Sequence, residues 1–257
     1  MRLVVYTVLT GNRYDNVIQP DVIDENIDYI LFTNNKNLYN DYEGCWKVEE
    51  IPYECSDNGR LSRYPKLQPH NTILDKYDFS LYIDANIKIK DSFVYNRMKE
   101  LAEENVKIAL LQHPFRDCVY QEAYICIAAC KGGWIDILRQ IFFLKRNGIP
   151  KHDGLYEANL IFRNHNDELV VATDNMWWQT FMKYSKRDQL SLVYALKKTA
   201  IRIEYFLPKG FTTRNHNAFE KIVHLPQKEN RKTKMKRKII SSVYSVFKKL
   251  LKENSDE

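Results

Sequence analysis

The chain has 257 residues, 44% hydrophobic and 13% aromatic, enough for a sizeable core, and its 8 Gly and 8 Pro exclude a fibrous or low-complexity protein. Its net charge of +6 lies in the C-terminal tail: residues 226–257 hold ten Lys/Arg and four Asp/Glu, leaving 29 of each in residues 1–225. A neutral body argues against a nucleic-acid partner, and no apolar run reaches the eighteen residues of a membrane span.

The apolar run Leu3–Leu9 is too short for a secretory signal and suits a central, doubly buried strand, ended by Thr10-Gly11-Asn12. Asp28–Thr33, Phe79–Ile83 and Val106–Leu111 predict three more such strands, with a helix over Phe93–Glu104 between the last two. Helices are expected over Tyr120–Cys130 and Trp134–Asn147, then short strands at Leu160–Arg163 and Leu169–Ala172 around a polar turn. Asn175–Ser185 and Asp188–Lys197 have helical spacing, and a last short strand is expected at Lys221–His224. Strands alternating with helices predict an α/β sheet of largely parallel order, in which ligands bind beyond the carboxyl ends of the strands. The five cysteines (Cys45, Cys55, Cys118, Cys126, Cys130) form no C-x-x-C pair and read as reduced thiols of a cytosolic protein.

Several polar groups fall at those strand ends. In GRLSRYPKLQPH, Arg60 and Arg63 are expected in a loop and Lys66 in the first turn of a helix opened by Pro65. Cations beside a helix start suit an anion, although a solvated basic loop has the same composition. Asp84-Ala85-Asn86 ends the third strand, where a carboxylate can hold Mn²⁺ or Mg²⁺ against a diphosphate. Turns alone also favour Asp and Asn. His113, Arg116, Tyr120 and Glu122 follow the fourth strand, and Glu157 precedes the next. Trp177 and Trp178 read as core more than as a sugar-stacking platform. Arg187-Asp188-Gln189 reads as a helix start or as part of the site.

Together SRYPKLQPH, LYIDANIKI, QHPFRDCVYQEA, GLYEANLIFRNH and RDQLSL resemble a glycosyltransferase-like family known from plant turgor-regulation and seed-mucilage proteins, with many bacterial members near polysaccharide gene clusters. The resemblance implies a GT-A fold: a Rossmann-like nucleotide-diphospho-sugar transferase with a central mixed sheet flanked by helices. It implies transfer of a sugar from a nucleotide sugar, UDP-linked by preference, to a saccharide or lipid-linked saccharide acceptor in cell-surface polysaccharide synthesis, as in capsule or lipopolysaccharide. A non-catalytic nucleotide- or carbohydrate-binding relative is the alternative. Candidate donor-binding residues are Thr7, Gly11, Tyr14, Arg60, Arg63, Lys66, Asp84, Asn86, His113, Arg116 and Gln189. Asp188 leads as a general base placed near the sugar or acceptor, with Glu157 and Glu122 as alternatives. A metal site implied by the resemblance would use Asp84, Asn86 and His224, with His216 in the place of His224 as an alternative. Asn86 stands where the usual motif has Asp, which weakens the expectation of Mn²⁺ or Mg²⁺.

The domain division is 1–225 for the transferase and 226–257 for the tail. In the tail, KENRKTKMKRK precedes Ile239, Ile240, Val243, Phe247, Leu250 and Leu251 at helical spacing. A basic amphipathic helix of this kind is expected to lie on an anionic membrane, placing the protein in the cytoplasm, peripheral to the inner face. Packing of the same stripe on the body or on a second copy is the competing expectation.

Overall fold

The structure, a computed structural model, describes residues 1–11, 17–38 and 42–222. Tyr14, His224 and the tail 226–257 lie outside the described residues.

Seven strands form the main sheet. They are β1 (Leu3–Leu9), β2 (Ile27–Thr33), β3 (Lys47–Glu50), β4 (Phe79–Ile83), β6 (Ile108–Gln112), β7 (Tyr156–Arg163) and β8 (Glu204–Tyr205), in the order β3-β2-β1-β4-β7-β6-β8. β1 pairs in parallel with β2 and β4, and β7 runs antiparallel to both β4 and β6. The sheet is therefore the mixed α/β arrangement expected of a GT-A transferase. β1 is buried at every position, which is why it reads as an unbroken apolar run rather than an alternation. Its odd residues Leu3, Val5 and Leu9 enter one core layer, and Val4, Tyr6 and Val8 enter the other.

The strand that resumes after Asn86 does not prolong β4. β5 (Ile87–Ile89) pairs with β9 (Phe219–Lys221) in a separate two-stranded ribbon, and Ile222 N donates to Asn86 O at 2.9 Å.

The helices are α1 (Asn58–Leu61), α2 (Tyr64–Leu67), α3 (Phe93–Glu103), α4 (Val119–Ala128), α5 (Trp134–Arg146), α6 (Glu168–Lys183) and α7 (Asp188–Thr199). The expected strand at Leu169–Ala172 is instead the first turn of α6. Asp167 caps that helix, its Oδ1 accepting from Leu169 N and Val170 N. Leu160–Arg163 is the last part of an eight-residue strand. β3 and β8 were not expected; both are short, polar edge strands.

Candidate active site

The carboxyl ends of β1, β4 and β6 and the amino end of β7 lie along one edge of the sheet. A cavity of about 300 Å³ opens beside β4, β6 and β7 at that edge. Among its lining residues seven are basic (Arg63, Lys66, Arg116, Lys131, Arg187, Arg214, Lys221) and four acidic (Asp84, Glu122, Glu157, Asp188). The body as a whole is neutral, so positive charge is concentrated here.

Lys66 is the centre of the cluster. It lies near the end of the four-residue α2 rather than in the first turn of a longer helix, and such a helix supplies no dipole worth counting. Its ammonium is buried and donates to Asp188 Oδ2 at 2.6 Å. It also lies 3.7 Å from Asp84 Oδ1 and 4.9 Å from the centroid of the Tyr82 ring. Tyr82 Oη donates to the same Asp84 oxygen at 2.7 Å. Arg63 Nε stands 3.5 Å from Asp188 Oδ2, an ion pair without a hydrogen bond. Burial alone would push the Asp188 carboxyl up, but Lys66, Arg63 and Arg187 outweigh it and hold the group well below the usual carboxylate range.

A second buried pair supports this one from below. Arg163 Nη1 donates to Asp174 Oδ2 at 2.6 Å, both side chains being fully buried. Arg163 Nη2 donates to Lys66 O at 3.0 Å, fixing the backbone from which the lysine projects. Burial outweighs the arginine and pushes Asp174 up to about 6.

On the opposite wall, His113 Nδ1 accepts from Phe115 N and Arg116 N at 3.3 and 3.1 Å. Burial pushes this imidazole down to about 4, so near neutrality it is uncharged, with its proton on Nε2. Glu122 is buried, takes Arg116 Nε at 2.8 Å, and lies 3.7 Å from His113 Nε2. Glu157 is buried and ion-paired with Arg214. Burial raises its proton affinity, opposed by Arg214 and Lys221, and the net direction is upward.

The cavity thus gathers Arg63, Lys66, Asp84, Asn86, His113, Arg116, Glu122, Glu157, Asp188 and Gln189 from the sequence-derived candidates. Gln189 Nε2 donates to Tyr156 O at 3.0 Å, tying the start of α7 to β7. Asp188 is not separate from the basic group: it is the direct counter-ion of Lys66 and Arg63, which makes it a poor proton acceptor. Arg60 does not line the cavity; its guanidinium donates to Met182 O at the end of α6, where it completes that helix. Thr7 is buried within β1. Gly11 lies apart from the cavity lining, in a loop with φ +78°, its N–H held by Asn34 Oδ1 at 2.8 Å. A Cβ there would meet Asn58 Nδ2 at 3.0 Å, so the close approach needs glycine. Trp177 is core, donating to Asp188 O, and Trp178 packs against Tyr53 and Tyr64.

The described donors do not fit a divalent cation. Asp84 is the single carboxylate beside Asn86, and an ammonium and a phenol already face its Oδ1. His216 sits among Phe93, Phe211 and Phe219, with Nδ1 accepting from Ala218 N, and is not part of the cavity lining. Conversely, Arg63 Nε and Arg187 Nε are buried without a hydrogen-bond partner among the described residues, as an acceptor-rich anion would require. Lys131, Arg214 and Lys221 were not singled out from sequence, whereas Arg187 was noted beside Asp188 and Gln189 without a role of its own.

No curated protein matches the chain by sequence. Among solved structures, the apo form of mouse xyloside xylosyltransferase 1 is similar over 80% of this chain and 85% of that one, at 7% identity and a TM-score of 0.48. The apo structure of the bifunctional glycosyltransferase WbbM is similar over 80% of this chain and 39% of that one, at 16% identity and a TM-score of 0.44. The family described as "TOD1/MUCI70, glycosyltransferase-like domain" matches residues 9–225, most of the chain and all of the cavity lining. The chain belongs to the TOD1/MUCI70 glycosyltransferase-like family.

Proposed function

We propose that the protein transfers a sugar from a nucleotide sugar, UDP-linked by preference, to a saccharide or lipid-linked saccharide acceptor in cell-surface polysaccharide synthesis. The observation that carries this reading is the convergence of Lys66, Arg63 and Arg187 on one buried carboxylate at the carboxyl edge of β4. Three cations around Asp188 leave local positive charge that a diphosphate matches. In the reaction the acceptor oxygen bonds to the anomeric carbon as the bond to the diphosphate oxygen breaks. Charge then grows on the leaving diphosphate, and fixed cations in a partly dry cleft stabilise it by several kcal/mol (roughly). The acceptor proton passes to Glu157, the cavity carboxylate whose proton affinity burial raises. Charge neutralisation rests on side chains, so turnover persists in EDTA.

The alternative of a non-catalytic binder has an observation of its own: each acidic residue of the cavity faces a cation, and Asn86 replaces a carboxylate. Incubation with a panel of nucleotide sugars and oligosaccharide acceptors separates the two. Product from any donor, lost in Glu157→Gln while donor binding remains, supports the enzyme. Binding without product across the panel supports the binder.

A further inference from the structure

α5 is anchored by one face only. Ile137, Ile141 and Leu144 are buried in an apolar cluster with α4 and α7, and Gln140 is buried beside them, donating to Ser191 Oγ. Its outward face carries Trp134, Ile135, Leu138 and Phe142, exposed by 46, 55, 42 and 76%. At about 100° per residue these four side chains fall within a single arc of roughly 100°. Exposed apolar residues scattered singly need no explanation, but four on one helical face do. Arg139, Lys145 and Arg146, all exposed, border or enter that face, against one acidic residue of the helix, Asp136.

We infer that the outward face of α5 is a contact surface for an anionic lipid bilayer. Indole and phenyl rings beside Lys and Arg suit the membrane interface, where the rings enter the acyl boundary and the cations meet the headgroups. Charge discriminates against other occupants. The tail of this chain holds ten Lys/Arg against four Asp/Glu, so packing it here would set cations on cations. A second copy docked face to face would do the same. Anionic lipid complements the helix and the tail alike. The surface starts beside the candidate active site: Lys131, three residues before Trp134, lines the cavity, as does Phe115, which is 74% exposed. A bilayer on α5 therefore brings the cavity close to a membrane-borne acceptor.

Trp134 reports on this directly. Of the four Trp, Trp46 and Trp177 are buried and Trp178 is packed among aromatic rings. The full chain is mixed with phosphatidylcholine–phosphatidylglycerol vesicles whose acyl chains carry bromine. The expected result is quenching of the emission on binding, abolished by Trp134→Phe. Ile135→Ser/Leu138→Ser/Phe142→Ser is expected to lower vesicle partitioning about tenfold or more. Absence of binding overturns the inference, and so does vesicle-bound protein with unquenched Trp134, since contact would then run through another surface. Light scattering that shows a dimer made monomeric by the triple substitution also overturns it. Turnover of a soluble acceptor without vesicles is unaffected by any of these outcomes and tests the enzymatic reading separately.

Discussion

Two buried ion pairs lie one above the other in this protein and behave in opposite ways. Arg163–Asp174 is sealed in the core; Lys66–Asp188 opens on the cavity. Both have an N–O distance of 2.6 Å, and both carboxyls lose their water. Asp174 has one nearby cation, and burial wins, so its proton affinity rises. Asp188 has three, and they win, so its proton affinity falls. The number of cations, rather than depth, sets the sign. The same surplus makes the upper pair suited to hold an anionic ligand, while the lower pair serves to hold Lys66 in place.

The largest expected effect is on the lower pair. Arg163→Met leaves Asp174 buried without its cation and frees the Lys66 carbonyl, at a cost of about 3–5 kcal/mol. Urea denaturation measures it, and a loss under about 1 kcal/mol would mean the two pairs do not differ in role.

The upper pair is expected to divide its effects. Lys66 is buried, so Lys66→Met lowers stability by about 1–3 kcal/mol as well as removing turnover, whereas the partly exposed Arg63 in Arg63→Gln lowers turnover with little change in stability. In Lys66→Met the Asp188 carboxylate still faces Arg63 and Arg187, so adding Asp188→Asn removes their counter-ion and restores neither stability nor turnover. A double variant that regains activity would break the assignment of Lys66 to the donor.

The third effect is smaller and concerns pH. The folded-state affinity of Asp174 is raised above its unfolded value, so the native state binds the extra proton between about pH 4 and 6. Stability from this group falls as pH rises through that window, by about 1–3 kcal/mol. For Asp188 the folded value is depressed, so its contribution is present above about pH 4 and is lost as pH falls below. Asp174→Asn removes the first slope and Asp188→Asn the second. Stability curves of wild type and both variants between pH 3 and 7 would show the two slopes, and slopes of the same sign would refute the comparison.

The strands that carry the site were legible because they are buried on both sides: β1 and β4 appear as continuous apolar runs with the bounds the structure gives them. The first half of α6 was not, because its buried stripe includes Thr173 and Asp174, which hide the helical period, while Val170-Val171 imitates a strand; the second half, from Asn175, kept its helical spacing. The Arg163–Asp174 pair was invisible for the same reason: each residue looks like a polar break in an apolar element until the fold closes them on each other. Asp84, Asn86 and Asp188 could be found because each sits at a strand end or helix start, and Lys66 because it follows Arg60 and Arg63 at a regular spacing of three. Arg214 and Lys131, in connecting segments, carry no such positional signal.

In the proposed reaction Lys66 and its neighbouring cations form the diphosphate site, with Asp188 as a competing anion. Calorimetric titration of UDP into wild type, Lys66→Met and Asp188→Asn tests it most directly. The predicted result is a loss of about a hundredfold in affinity for Lys66→Met and a gain of about tenfold for Asp188→Asn, as one repulsive charge a few ångströms away is removed. Equal affinity for UDP in all three proteins would contradict it.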